Sequence, residues 1–268
     1  TPLYTMKRLL QAYQCADYGE ARRQLREWYR TPLGEALMQR EQALIRQLLP
    51  GLFGYHLLQL GGDPGCELLS ESRISHRMIM LDEVDECPQP ATGIEYLRGR
   101  SSQLPIASDT LDAVLLPHRL EYEGEPHQLL REVERMLIPE GHLLITGFNP
   151  LSQFGLRRAV QGWQDEAPWS GHFYTPTRLK DWLSLLGFDT VLLRHYFYRP
   201  PLQHQPTMER LQRMEEWGGR LCSPLGGAYL LLAKKRVATI TPIKPRWRNA
   251  RRLITVGLTE PTARRDKQ

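Results

Sequence analysis

At 268 residues, with 41% hydrophobic and 24% charged side chains, the chain is long enough to bury a sizeable core and ordinary enough in composition to be globular. No apolar run approaches the roughly 18–20 residues that cross a bilayer, and the N-terminal stretch turns polar too soon for a secretion signal, so a cytoplasmic protein with no membrane span is expected. The net charge of +5 is uneven: from Lys234 onward eleven Lys or Arg face only Glu260 and Asp266, which leaves a mildly acidic body and a basic tail.

Residues 6–50 read as helix. Ala36, Leu37, Ala43, Leu44, Leu48 and Leu49 recur at a helical period, and Pro50-Gly51 stops the run. Short apolar runs then alternate with helical stretches. Strands are expected at 55–60, 77–81, 94–98, 111–116, 142–148, 189–195 and 228–234. Helices are expected at 128–137 and 176–187, the second with Thr175 as N-cap and Pro176 in its first turn. This order predicts an α/β protein with a doubly wound, mostly parallel seven-stranded sheet covered on both faces. The expected organisation is a helical extension over 1–50, the α/β domain over 51–236 with a helical insertion at 196–227, and a basic tail over 237–268. In the insertion Met208, Leu211, Met214, Trp217 and Leu221 form an apolar stripe, which either packs into the core, covers a pocket or meets a partner.

Doubly wound sheets bind ligands beyond the C-terminal ends of their strands. After the first strand stands Gly61-Gly62-Asp63-Pro64-Gly65, where glycines allow a tight turn and close approach of a ligand; an ordinary strand-to-helix turn has the same look. After the second stands Asp82, 21 residues beyond Gly61, near the spacing at which an acid takes ribose hydroxyls; a solvated acidic loop is the alternative. Cys15, Cys66, Cys87 and Cys222 are scattered, without CxxC or histidine ligand spacing, so no metal is expected.

The stretch "LPIASDTLDAVLLPH…LLREVERMLIPEGHLLITGF" over 104–148, followed by "FYTPTRLKDWLSLLGF" and "GGAYLLLAKK", resembles the class I S-adenosylmethionine-dependent methyltransferases, in the branch called methyltransferase type 11. The resemblance spans roughly 55–235. It implies a Rossmann-like sheet whose last strand is antiparallel, S-adenosylmethionine (SAM) as cofactor, and methyl transfer to an acceptor that the sequence does not name. It places Gly61, Gly62 and Gly65 at the methionine part of the cofactor, Asp82 at the ribose, Ser101, Ser102 and Leu104 near adenine, and Leu116, Pro117 and His118 beside the sulfonium and the acceptor. The chain departs from the family pattern at Gln59, where an acid is usual, at Asp63, where a glycine is usual, and at Arg100, where an acid is common.

A neutral imidazole can take a proton near pH 7, so His118 is the candidate general base, against a plain hydrogen-bonded strand-end histidine. His172, Tyr174, Trp163 and Trp169 are candidates for the acceptor side. Two other readings stand beside the enzyme: an inactive methyltransferase-like binding module, and an RNA-directed enzyme using "KPRWRNARR" of the tail to pair phosphates and stack bases. A NAD-dependent oxidoreductase is a weaker third, because the third glycine of the dinucleotide fingerprint is missing.

Overall fold

The computed structural model describes residues 18–63, 68–82, 93–99, 103–161, 166–201 and 223–236. Two helices open it, α1 (Tyr18–Tyr29) and α2 (Pro32–Leu48). The expected single helix breaks at Arg30-Thr31 because Thr31 caps a new one: its side chain accepts the Gly34 N–H, and Pro32 follows at the first turn. A Cβ on Gly34 would lie 2.2 Å from the Trp28 carbonyl, so glycine lets the second helix start against the end of the first.

Seven strands follow: β1 (His56–Leu60), β2 (His76–Leu81), β3 (Ile94–Arg98), β4 (Leu111–Pro117), β5 (Leu137–Phe148), β6 (Phe188–Tyr196) and β7 (Ala228–Lys235). Helix α3 (Pro126–Met136) lies between β4 and β5; α4 (Gln153–Gln161) and α5 (Pro176–Leu185) lie between β5 and β6. The sheet order is β3-β2-β1-β4-β5-β7-β6. Pairs β1·β2, β2·β3, β1·β4 and β4·β5 are parallel, and β7 runs antiparallel between β5 and β6. This is the expected Rossmann-like sheet with an antiparallel last strand.

Alternation along the strands builds two cores. Leu57, Ile79, Ala113, Leu115 and Leu144 face one side, where α1 and α2 add Leu25, Trp28, Leu33, Leu37 and Ile45. Leu58, Met78, Met80, Val114, Leu143 and Ile145 face the other, with Leu130 and Val133 of α3 and Leu179 and Leu183 of α5. The N-terminal helices therefore share a core with the sheet. Helix α4 was missed from the sequence, although Ser152 accepts the Phe154 N–H at its start. Strand β5 begins earlier than expected: Leu137 already pairs with Leu111, and the register shifts before His142 meets Ala113. The insertion stripe over 208–221 lies outside the described residues, and none of the described helices is long and apolar enough to cross a membrane.

Because Leu37 is fully buried against the sheet, Leu37→Ala is expected to destabilise the whole domain by about 2–5 kcal/mol in urea unfolding, in one cooperative transition. A loss below about 1 kcal/mol would show that the N-terminal helices are peripheral to the fold.

Candidate functional site

Strands β1 and β4 are neighbours, yet the chain leaves them in opposite directions, toward β2 and toward β5. A crevice opens where such a reversal occurs. The register pairs Gln59 with Leu115, so the turn after β1 sits level with the end of β4. Gly61 and Gly62 take φ of +90° and +73° there. A Cβ on Gly62 would lie 2.8 Å from Pro117 Cγ, so this turn is closed to larger residues on steric grounds as well as by its backbone. Gln59, fully buried in place of the usual acid, donates through Nε2 to the Gly61 carbonyl at 3.0 Å. Its Oε1 is buried and accepts no hydrogen bond among the described residues.

The crevice encloses roughly 420 Å³, open mouth included, between Arg22, Leu25 and Arg26 of α1, the two glycines, the end of β2, and His118 and Arg119 after β4. A second hollow of about 220 Å³ adjoins it, walled by Leu60, Met80, Gly99, Leu104 and Leu129, with Asp82 and Arg119 at the junction.

Asp82 stands at the end of β2 and is held from two sides. Arg119 donates to both of its carboxylate oxygens, at 2.9 and 3.0 Å, and Arg22 Nε comes within 2.7 Å. Arg119 also meets Glu123 at 3.2 Å, and Arg22 reaches on to the Tyr122 carbonyl at 2.8 Å. Burial pushes the Asp82 carboxyl up, but the hydrogen bonds and charge of Arg119, with Arg22 behind, outweigh it and hold the group below its usual range. Burial and the neighbouring Arg119 lower the Arg22 guanidinium. Two guanidiniums thus compete for one carboxylate, directly over the glycine turn.

His118 occupies a different environment from the one expected of a base. It is 1% exposed, at φ +46°, with Glu121 at 2.8 Å from Nδ1 and Glu41 of α2 at 3.3 Å from Nε2. The Thr146 hydroxyl of β5 donates to Glu41 at 2.6 Å, and the Phe148 N–H donates to Glu121. Burial lowers the imidazole's pKa, but the two carboxylates overcome it and raise it to about 10. An imidazole already protonated at pH 7 cannot accept a proton, so the arrangement does not suit the base role and makes His118 a buried cation that ties α2 to the loop after β4.

Of the other residues expected at the site, Gly61, Gly62 and Asp82 line the crevice and Leu104 the adjoining hollow. The side chains of Leu116 and Pro117 are buried, Leu116 in the core on the α3 side, so Leu116 has only backbone to offer. Gly65, Ser101, Ser102 and Arg100 lie outside the described residues, as do Trp163 and the tail over 237–268. Arg22 and Arg119 were not singled out in the sequence. Arg119 directly follows the candidate base, but nothing in the linear chain joins it to an acid 37 residues earlier.

Residues 64–145 match the family model of a methyltransferase domain. The uncharacterized protein YafS of Escherichia coli (strain K12) is 32% identical over 230 residues, covering 81% of this chain and 86% of YafS. A methyltransferase of Haloferax volcanii, solved in complex with the Trm112 methyltransferase activator, superposes with a TM-score of 0.53 at 14% identity, over 73% of this chain and 88% of its own. A SAM-dependent methyltransferase from Thermotoga maritima gives 0.51 at 14% identity, over 78% and 93%. These two structures share the fold.

The raised His118 pKa carries a pH signature. The folded state keeps the proton that the unfolded chain loses near pH 6.5, so this stability is complete below pH 6.5 and is lost as pH rises toward about 10. The urea midpoint of the wild type should therefore fall between pH 6.5 and 9.5, with His118→Gln, less stable overall, showing a flatter profile. Identical slopes would show that His118 is neutral when folded.

Proposed function

We propose a methyl-transfer function from the premise that the chain belongs to the class I SAM-dependent methyltransferase family. The observation that carries the reading is the Asp82 carboxylate set beside a glycine turn at the β1/β4 crevice, with an apolar hollow adjoining. The residues fit the cofactor. Asp82 has two oxygens for a ribose diol, Leu104, Met80 and Leu129 offer an apolar slot for adenine, and the turn at Gly61-Gly62 admits close approach. Gln59 Oε1 is a buried acceptor awaiting a donor, which suits an ammonium group at this turn. Bound here, the cofactor supplies a methyl group already activated on its sulfonium.

The chain's own contribution is binding and orientation. Arg119 must first turn away from Asp82, since its guanidinium takes both carboxylate oxygens that a diol would use. Glu123, already 3.2 Å from Arg119, offers it a place to go. Helix α1 closes one side of the crevice through Arg22 and Leu25, so it screens a bound ligand from water. With His118 protonated, proton removal from an acceptor falls to a group outside the crevice floor or to solvent.

A second reading has one observation behind it. A crevice whose carboxylate is satisfied by its own arginines is also what an inactive, binding-only relative would present. Cofactor affinity separates the two. An RNA-directed enzyme remains a reading of the tail; it requires RNA affinity that falls steeply with salt and disappears on deletion of 237–268.

Calorimetric titration of the full chain with S-adenosylhomocysteine is expected to give saturable binding that Asp82→Ala weakens by about ten- to hundredfold, the worth of hydrogen bonds to a charged group. Arg119→Ala removes the internal competitor and is expected to tighten binding about tenfold, roughly 1.4 kcal/mol. A folded wild type and Arg119→Ala variant that both fail to bind would overturn the cofactor reading and leave the binding-only one.

A further inference from the structure

Beyond the crevice, the same end of the sheet carries a cluster that the cofactor does not use. The turn before α5 packs on the loop after β4: the His172 N–H donates to the Glu121 carbonyl at 2.8 Å, and the Tyr122 hydroxyl donates to the Pro168 carbonyl at 2.9 Å. A Cβ on Gly171 would meet the Tyr122 ring at 2.7 Å, so the two segments are in direct contact. Since β6 runs parallel to β5, the start of α5 lies at the C-terminal ends of the strands, as the crevice does.

The cluster centres on Arg178. Its guanidinium lies 5.1 Å from the Trp182 ring centroid and 6.0 Å from that of Tyr174. Trp182 in turn packs on His127 at 4.0 Å and on Tyr174 at 5.0 Å, and Tyr174 on His172 at 4.7 Å. Arg178 is exposed, and no carboxylate pairs with it among the described residues, although Asp181 lies three positions on. After burial, the charges of Arg158 and Arg178 lower the His172 pKa; at Tyr174 the same two guanidiniums act against burial and the Glu121 carboxylate. The Tyr174 hydroxyl and the His172 ring make no hydrogen bond among the described residues.

A guanidinium fixed by aromatic faces keeps its N–H edge for a planar or tetrahedral oxyanion, and a neutral imidazole and a phenol beside it add further donors. The geometry points to an anion subsite for the methyl acceptor, formed by Arg178, His172 and Tyr174, which takes a carboxylate or phosphate group of a small molecule. The assignment of that anion to the acceptor rests on the methyltransferase reading; the anion site itself does not.

The test uses the full chain labelled with ¹⁵N-tryptophan, saturated with S-adenosylhomocysteine, with the Trp182 indole signal assigned from Trp182→Phe. Inorganic phosphate and acetate are titrated at constant ionic strength. The expected result is a saturable shift of the Trp182 signal that weakens at least tenfold in Arg178→Gln, a surface change that leaves the fold and S-adenosylhomocysteine affinity intact. Preference for phosphate assigns a phosphate-bearing acceptor, and preference for acetate a carboxylate. A linear shift, equal in Arg178→Gln, overturns the site; so does single-stranded RNA that saturates where neither small anion does. Saturation by the anion in a chain that fails to bind S-adenosylhomocysteine keeps the site and removes the cofactor reading instead.

Discussion

Two carboxylates from distant parts of the chain, Glu41 and Glu121, close on one buried histidine, and the crevice takes its shape from that contact. A buried charge is costly unless paired and hydrogen-bonded, and here each carboxylate has a second donor, Thr146 for one and Phe148 N–H for the other. Removing one partner would strand charge in a dry interior. The cluster therefore fixes α2 against β5 and fixes the backbone after β4 in a left-handed turn at His118. The next residue, Arg119, is delivered by that turn into the crevice.

Arg119 in place explains the rest of the site's electrostatics. It meets both oxygens of Asp82, and Arg22 brings α1 to the same carboxylate. The protein thus satisfies the Asp82 carboxylate from within its own chain. On the proposed reading, cofactor binding is coupled to the seating of α1, since the helix and the ligand share Asp82.

The sheet was legible in the sequence because its strands are short apolar runs between glycine- and proline-marked turns. "YHLLQL", "RMIML", "LDAVLL" and "AYLLLAK" all became strands within a residue or two of their expected bounds. The positions of Gly61, Gly62 and Asp82 followed from that order, since each stands just past a strand. What the sequence hid depends on distance. Glu41 meets Thr146 across 105 positions and Arg119 meets Asp82 across 37, and no local period marks either. His118 was legible as a residue but not as a cation, because its charge state depends on distant Glu41 as well as on neighbouring Glu121. The break between α1 and α2 was in fact marked, by Thr31-Pro32, but the apolar period on either side masked it.

The central claim is an exchange at Asp82, in which a ribose diol replaces a guanidinium. A crystal structure of the full chain with S-adenosylhomocysteine tests it most directly. The account predicts the ribose hydroxyls on the Asp82 carboxylate, with the Arg119 guanidinium turned away toward Glu123 and His118 unmoved between Glu41 and Glu121. A ligand bound elsewhere, or bound in the crevice with the bidentate Arg119–Asp82 pair intact, would contradict it.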